Sequence, residues 1–128
     1  MRLNRKHSMT RRSDFLRVRK DGRSKAGRFL ILSTLDCPEL PHVMTGFITT
    51  RKVGKAHDRN RLRRRLRVIV SRHGDALADP RRYLVTIPRP GSSQAGFAEL
   101  EKDWLTLARR LGLLAPSADP GPPPRPAP

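Results

Sequence analysis

The side chains best equipped for chemistry are concentrated in one stretch. From Arg51 to Arg72 the chain carries ten Lys and Arg residues and a single acid, Asp58. Guanidinium groups present a planar fork of donors that matches phosphate oxygens and stacks on flat rings. Like charges at i,i+4 on a helix each cost a few tenths of a kcal/mol, so an ordinary surface helix mixes signs. This segment does not, which points to a polyanionic partner rather than a solvated face. Catalysis by the chain itself has weaker support. A metal-dependent nuclease needs clustered carboxylates, and the eleven acids here are scattered. Glu99, Glu101 and Asp103 alone lie close in sequence, and they are expected on the exposed side of a late helix. His7, His42, His57 and His73 show no metal-ligand spacing. Cys37, with no identifiable His partner, is expected to be an inert packing or loop residue. No metal or other cofactor is therefore expected on the protein, and no catalytic residue.

The whole chain agrees with its basic segment. Its 128 residues suit one domain, with 28 Lys and Arg against 11 Asp and Glu, a formal net charge of +17 and a pI near 11.8. Nucleic acid is the first candidate partner, an anionic membrane the second, an acidic protein tail the third. The longest apolar run, Phe29–Leu32, is far below the roughly 20 residues of a membrane-spanning helix. The basic N-terminus has no apolar stretch behind it, so no signal peptide is expected. One cysteine and no possible internal disulfide fit a reducing compartment, most simply the cytoplasm.

These side chains need elements to hold them. Ser13 looks like the N-cap of a two-turn helix holding Phe15, Leu16 and Val18 and ending at Asp21-Gly22. Arg23–Gly27 reads as a basic loop. Phe29–Leu35 and Val43–Thr50 read as strands of a hairpin, with Gly46 a bulge or a close approach. Lys52–Ala56 is a turn around Gly54. A long helix follows from about Asp58 to Arg72, with His57 or Asp58 near its N-cap and Gly74 past its end. Tyr83–Ile87 is a third strand, and Ala95–Leu113 a helix whose Phe97, Leu100, Trp104, Leu107, Ala108 and Leu111 share one face. Residues 116–128, rich in proline and alanine, are expected to be a disordered tail behind a single domain of residues 1–115. The order is α-β-β-α-β-α, an α+β fold.

On a wheel of roughly 100° per residue, the basic helix has three sides. Leu62, Leu66, Ile69 and His73 form the face that packs on the sheet, with Val70 at its edge. Arg59, Arg63 and Arg67 make one flanking stripe; Arg61, Arg65 and Arg72 make the other. Asn60, Arg64 and Ser71 point away from the sheet between them. A membrane-surface helix would need exposed bulky apolar residues, and these leucines are committed to the sheet.

The run Arg51-Lys52-Val53-Gly54-Lys55-Ala56-His57-Asp58-Arg59-Asn60-Arg61-Leu62-Arg63-Arg64-Arg65-Leu66-Arg67 resembles the signature of the bacterial ribonuclease P protein subunit, K-K-x-G-N-A-V-x-R-N-R-x-K-R. Asp14-Phe15 with Val18 and Gly22, the strands Arg28–Leu35 and Gly46–Lys52, Tyr83–Pro90 and the closing helix with Leu105 and Leu111 fit the same family. The likeness runs from about Leu3 to Leu114. It implies a two-layer α/β sandwich of order α-β-β-β-α-β-α with a small central sheet and a left-handed β-α-β crossover. One strand more is thus implied than the pattern yields, and a division of the Val43–Lys52 region would supply it.

The resemblance also implies a function. The family's ribonucleoprotein is an endonuclease that removes the 5′ leader from precursor tRNA; a large RNA subunit with bound Mg²⁺ carries the catalysis, and the protein binds that RNA and the leader. By matched position, Arg51, Lys52, Lys55, Arg59, Asn60, Arg61, Arg63, Arg64, Arg65 and Arg67 are the implied RNA-binding residues. Phe15 and Ile31, with Arg59, Asn60, Arg63 and Arg67, are implied at the leader cleft. A stand-alone basic RNA-binding protein, such as a ribosomal protein, is the alternative that composition alone leaves open. This chain departs from the pattern with Lys55 for Asn, His57 for Val, Arg63 for Lys and Val68 for an acidic or amide residue. Arg19 and Ser33 stand where some members carry cleft aromatics. Pro88 replaces a small residue and implies an edge strand or an early strand end.

Overall fold

The computed structural model describes residues 3–114, so the expected tail at 116–128 lies outside the described residues. Helix α1 is Arg12–Asp21, β1 Arg23–Ala26, β2 Leu30–Asp36, β3 Met44–Phe47, α2 Ala56–His73, β4 Arg82–Pro88 and α3 Phe97–Arg110. The order is α-β-β-β-α-β-α, and one four-stranded sheet runs β1-β2-β4-β3.

Two strand expectations need correcting. The extra strand does not come from dividing Val43–Lys52; it is β1, where the sequence suggests a loop. All four of its residues are exposed, so it lacks the apolar alternation that marks a half-buried strand. Its charges suit a sheet edge, where they discourage pairing with other chains. Nor do β2 and β3 form a hairpin. Strand β4 lies between them, antiparallel to β2 from Leu30↔Pro88 to Asp36↔Arg82 and parallel to β3 from Met44↔Tyr83 to Phe47↔Thr86. Seven matched residues of β2 and β4 make a longer ladder than the four of β3 could. Helix α2 is therefore the crossover of a parallel β-α-β unit. Pro88 accordingly ends a central strand rather than lying on an edge, beyond the last pairing with β3.

Helix boundaries differ modestly from those expected. Helix α1 starts at Arg12 with Arg11, not Ser13, at the cap position, and runs ten residues rather than two turns. Lys55 holds the cap position of α2, while Asp58 lies in its first turn, where an acid favours the helix dipole. Gly74 follows the last turn as expected. Helix α3 is shorter than Ala95–Leu113 at both ends; its start is fixed by the Glu99 carboxylate accepting from the Gly96 N–H at 3.0 Å.

The sheet has two unlike faces. Leu30 and Leu32 of β2 and Leu84 of β4 join Leu62, Leu66, Ile69 and Val70 of α2 and Leu100, Trp104, Leu107 and Ala108 of α3 in the main core. Trp104 is fully buried and its indole N–H donates to Thr86 Oγ1 at 3.3 Å. Burial of each such large side chain is worth about 1.5–3 kcal/mol. The alternate residues Ile31, Ser33, Val85 and Ile87 face the other way. There α1 crosses the sheet and covers it only in part. Its Val18 and Phe15 pack in a smaller cluster with Tyr83, Val85, Met44 and Ile48.

The free edge of β3 is closed by the N-terminal segment. Ser8 bridges Thr45, the Met9 N–H donates to Thr45 O at 2.8 Å, and Thr45 Oγ1 donates to His7 O at 3.1 Å. A 3₁₀ turn at Arg5–His7, capped by Asn4, precedes this clip.

The acids expected on the exposed side of the late helix hold the fold together. Asp103 accepts backbone N–H groups of Arg28, Phe29 and Leu30 at 3.2, 2.9 and 2.9 Å. Glu101 pairs with Arg72 and His73, each at 2.9 Å.

Candidate nucleic-acid interface

The basic helix is introduced by a tight turn. Residues Arg51–Val53 form a 3₁₀ turn with Val53 buried and Arg51 and Lys52 exposed. Gly54 then takes φ +150°, a region essentially reserved for glycine. A Cβ there would also meet Asp58 Oδ2 at 3.0 Å. Arg59 Nη1 donates to Gly54 O at 2.8 Å, so one arginine of the expected RNA-facing set also locks the turn.

The arginines of α2 divide into engaged and unengaged groups. Arg63 donates to Thr49 Oγ1 at 2.6 Å and to the Asn60 side-chain oxygen. Arg61 lies 3.7 Å from Asp58, and Arg65 donates to Ala95 O at 3.3 Å. Arg72 pairs with Glu101 and sits over the Phe97 ring. The second stripe, Arg61, Arg65 and Arg72, thus makes protein contacts, and Arg65 and Arg72 face α3 and the segment leading into it. Arg51, Lys52, Lys55, Arg64 and Arg67 have side chains with no hydrogen bond or ion pair among the described residues. Arg51, Lys52, Lys55, Asn60 and Arg64 are exposed; Arg59, Arg61, Arg63, Arg65 and Arg67 are partly buried. Ser71, placed between the stripes by the wheel, instead accepts the Leu3 N–H at 3.3 Å.

On the half-open face of the sheet lies a groove of about 350 Å³. Phe15, Leu16, Val18 and Arg19 of α1 form one wall; Ile31 and Ser33 of β2, Val85 and Ile87 of β4, Ser24 of β1 and Ile48 complete it. Apolar side chains dominate, with Arg19 the one charge among the described lining residues. The Ser24 and Ser33 hydroxyls meet at 2.6 Å. Gly46 makes room for Phe15: a Cβ there would sit 2.5 Å from the ring. Gly46 is therefore the close approach, within a ladder that continues unbroken to Phe47. Tyr83 anchors the back of α1, its hydroxyl 3.4 Å from Asp14 and Arg17 above its ring. Burial raises the Tyr83 pKa, aided by the Asp14 and Cys37 charges.

The structure brings only part of the expected cleft set together. Phe15 and Ile31 line the groove. Arg59, Asn60, Arg63 and Arg67 do not; they stand on α2, whose apolar face packs on the opposite side of the sheet. Arg63 is tied toward it through Thr49, the neighbour of groove residue Ile48. The lining residues Ile48, Val85 and Ile87 are not identifiable from sequence. For Val85 and Ile87 the signal is the period-2 alternation of β4, legible only once β2 and β4 are known to pair. Cys37 is buried and donates to Glu39 at 3.2 Å, the packing role expected of it.

Comparison with known proteins fits this geometry. The family model described as Ribonuclease P matches residues 3–112. The ribonuclease P protein component of Acidothermus cellulolyticus is 40% identical over 108 residues, covering 83% of this chain and 88% of that protein. That of Syntrophomonas wolfei is 31% identical over 117 residues, covering 91% and 97%. That of Thermus aquaticus is 39% identical over 100 residues and 78% of this chain, and this chain spans only 57% of its length. The chain likewise spans 62% of the Thermus oshimai relative. Among solved structures, the Staphylococcus aureus RNase P protein superposes with a TM-score of 0.78 at 20% identity, over 85% of this chain and 98% of that one. The Thermotoga maritima RNase P protein gives 0.68 at 26%, over 86% and 96%. The match of the family model over nearly all the described residues, on a fold with a basic crossover helix, places this chain in the Ribonuclease P family.

Proposed function

We propose that this protein is the RNA-gripping subunit of a cytoplasmic ribonuclease P ribonucleoprotein, which hydrolyses precursor tRNA at the 5′ leader. The catalytic RNA performs the cleavage with Mg²⁺ that it chiefly holds itself. The protein clamps RNA with the free cations of the turn and α2, Arg51, Lys52, Lys55, Arg64 and Arg67. It receives the single-stranded leader in the groove of Phe15, Ile31, Ile48, Val85 and Ile87. The observation that carries this reading is an apolar groove whose wall residue Ile48 leads along the chain into the exposed cations Arg51 and Lys52, with Arg63 of α2 bonded to the intervening Thr49. Unpaired bases pack on apolar and aromatic walls, while phosphates take the cations.

The test is binding of a precursor tRNA and of the same tRNA without its leader to holoenzyme assembled with a matching catalytic RNA. Ile31→Glu or Ile48→Glu places a carboxylate in the groove. Either variant is expected to weaken binding of the leader-bearing tRNA alone. Equal affinities for both tRNAs in the wild type, or no leader-specific loss in folded variants, would sink the proposal.

A further inference from the structure

Helix α1 presents a second cationic surface on its outer side. At 3.6 residues per turn, Arg12, Leu16, Arg19 and Lys20 fall within an arc of roughly 100°. The buried Val18 lies on the opposite side of the helix. The four are exposed, and Leu16, at 50%, is one of two large apolar side chains exposed among the described residues. Leu16 and Arg19 also belong to the groove wall, so the stripe continues the groove outward over the helix.

The cations of this stripe have no acidic partners among the described residues. Arg12, Arg19 and Lys20 enter no ion pair among the described residues, although Asp14 and Asp21 are on the same helix. Asp14 is turned to Tyr83. Elsewhere Asp36, Asp58, Asp79 and Glu101 are engaged by Arg82, Arg61, Arg81 and Arg72. The chain thus matches many of its acids to cations and leaves this stripe unmatched.

We infer that Arg12, Leu16, Arg19 and Lys20 form a single-strand RNA track that receives the leader where it leaves the groove on the α1 side. Phosphates take the three cations, and one base lies on Leu16. The inference rests on the leader occupying the groove. An anionic membrane is the poorer fit, because interfacial helices bury a broad apolar face and the stripe offers one leucine.

The experiment compares wild-type holoenzyme with a variant carrying Arg12→Gln, Arg19→Gln and Lys20→Gln. Binding of leader-bearing and leaderless tRNA, and assembly with the catalytic RNA, are followed over a range of salt. Removing three single-strand phosphate contacts lowers the log–log salt slope by about 2, at roughly 0.7 for each. That reduction is expected for leader-bearing tRNA only, with an unchanged melting curve of the free protein. An unchanged slope overturns the inference, as does binding to phosphatidylglycerol vesicles that the variant alone loses. A slope reduced equally with leaderless tRNA or in assembly overturns it too, because the stripe then meets another RNA. The Ile31→Glu arm separates the failures. If that variant loses leader binding while the triple variant does not, the stripe fails and the groove stands. If Ile31→Glu has no effect, the groove reading itself fails.

Discussion

Gly46→Ala tests how the groove is built. The added methyl would lie 2.5 and 2.8 Å from two carbons of the Phe15 ring and 3.1 Å from the Met9 sulfur. Ordinary carbon–carbon contact is about 3.5–4.0 Å, so the ring must retreat by about 1 Å. Overpacking of this kind costs about 1–3 kcal/mol. The reduced backbone freedom of the unfolded chain offsets about 0.4–1 kcal/mol of that. A net destabilisation of about 1–2 kcal/mol is expected, read as a lower urea midpoint at unchanged m-value. Phe15→Leu should relieve the clash, so a double-mutant cycle should show coupling of about 1 kcal/mol, within the range for residues in contact. The displaced ring should also weaken leader binding. A neutral or stabilising Gly46→Ala, or a cycle without coupling, would refute the packing on which the groove depends.

Three further predictions rest on other contacts. Asp103→Ala should destabilise by about 2–4 kcal/mol in urea melts, since it strips a charged acceptor from three backbone donors; a loss below about 0.5 kcal/mol, the smallest expected of one hydrogen bond, would contradict its anchoring role. Arg64→Ala with Arg67→Ala should lower the salt slope of RNA binding by about 1 for each phosphate left without its cation, with little change in melting temperature; Arg61→Ala with Arg65→Ala should instead lower stability, and the reverse pattern would mean the free and engaged arginines are misassigned. The His7 pKa is lowered by burial, then by the His42 and Lys6 charges, and His7 Nδ1 accepts the Asn4 N–H at 3.2 Å, which requires a neutral ring nitrogen. The unfolded chain therefore takes up the proton first: the clip's contribution is complete above the ordinary value of 6.5 and is lost as pH falls through the lower folded value, and amide exchange at Met9 that does not quicken over that window would refute it.

Much of this is legible in sequence, for physical reasons. Helix α2 announces itself by its apolar spacing, and the 3.6-residue period places Leu62, Leu66 and Ile69 on the sheet. Gly46 and Gly54 stand out because only a residue without Cβ serves a close approach or a positive φ. What sequence does not supply is pairing. Strand β1 shows no alternation because it is an exposed edge, and β2 pairs with a strand about fifty residues away. Groove lining depends on that pairing, so Val85 and Ile87 stay unassigned without it. Nor does the wheel tell free arginines from engaged ones. Arg65 and Arg72 look like any cationic flank until Ala95, Phe97 and Glu101 are seen beside them. The roles of the α3 acids are hidden for the same reason: their partners at 28–30 and 72–73 lie far off in sequence.

The central claim is that this chain serves a catalytic RNA rather than cutting RNA itself. Cleavage of a leader-bearing precursor tRNA at low Mg²⁺ decides it, measured with purified protein alone, with a matching catalytic RNA alone, and with both. No cleavage is expected from the protein, feeble cleavage from the RNA, and strong cleavage at the 5′ end of the mature tRNA when they are combined. Cleavage by the protein alone, or no gain on adding it to the RNA, would contradict the claim.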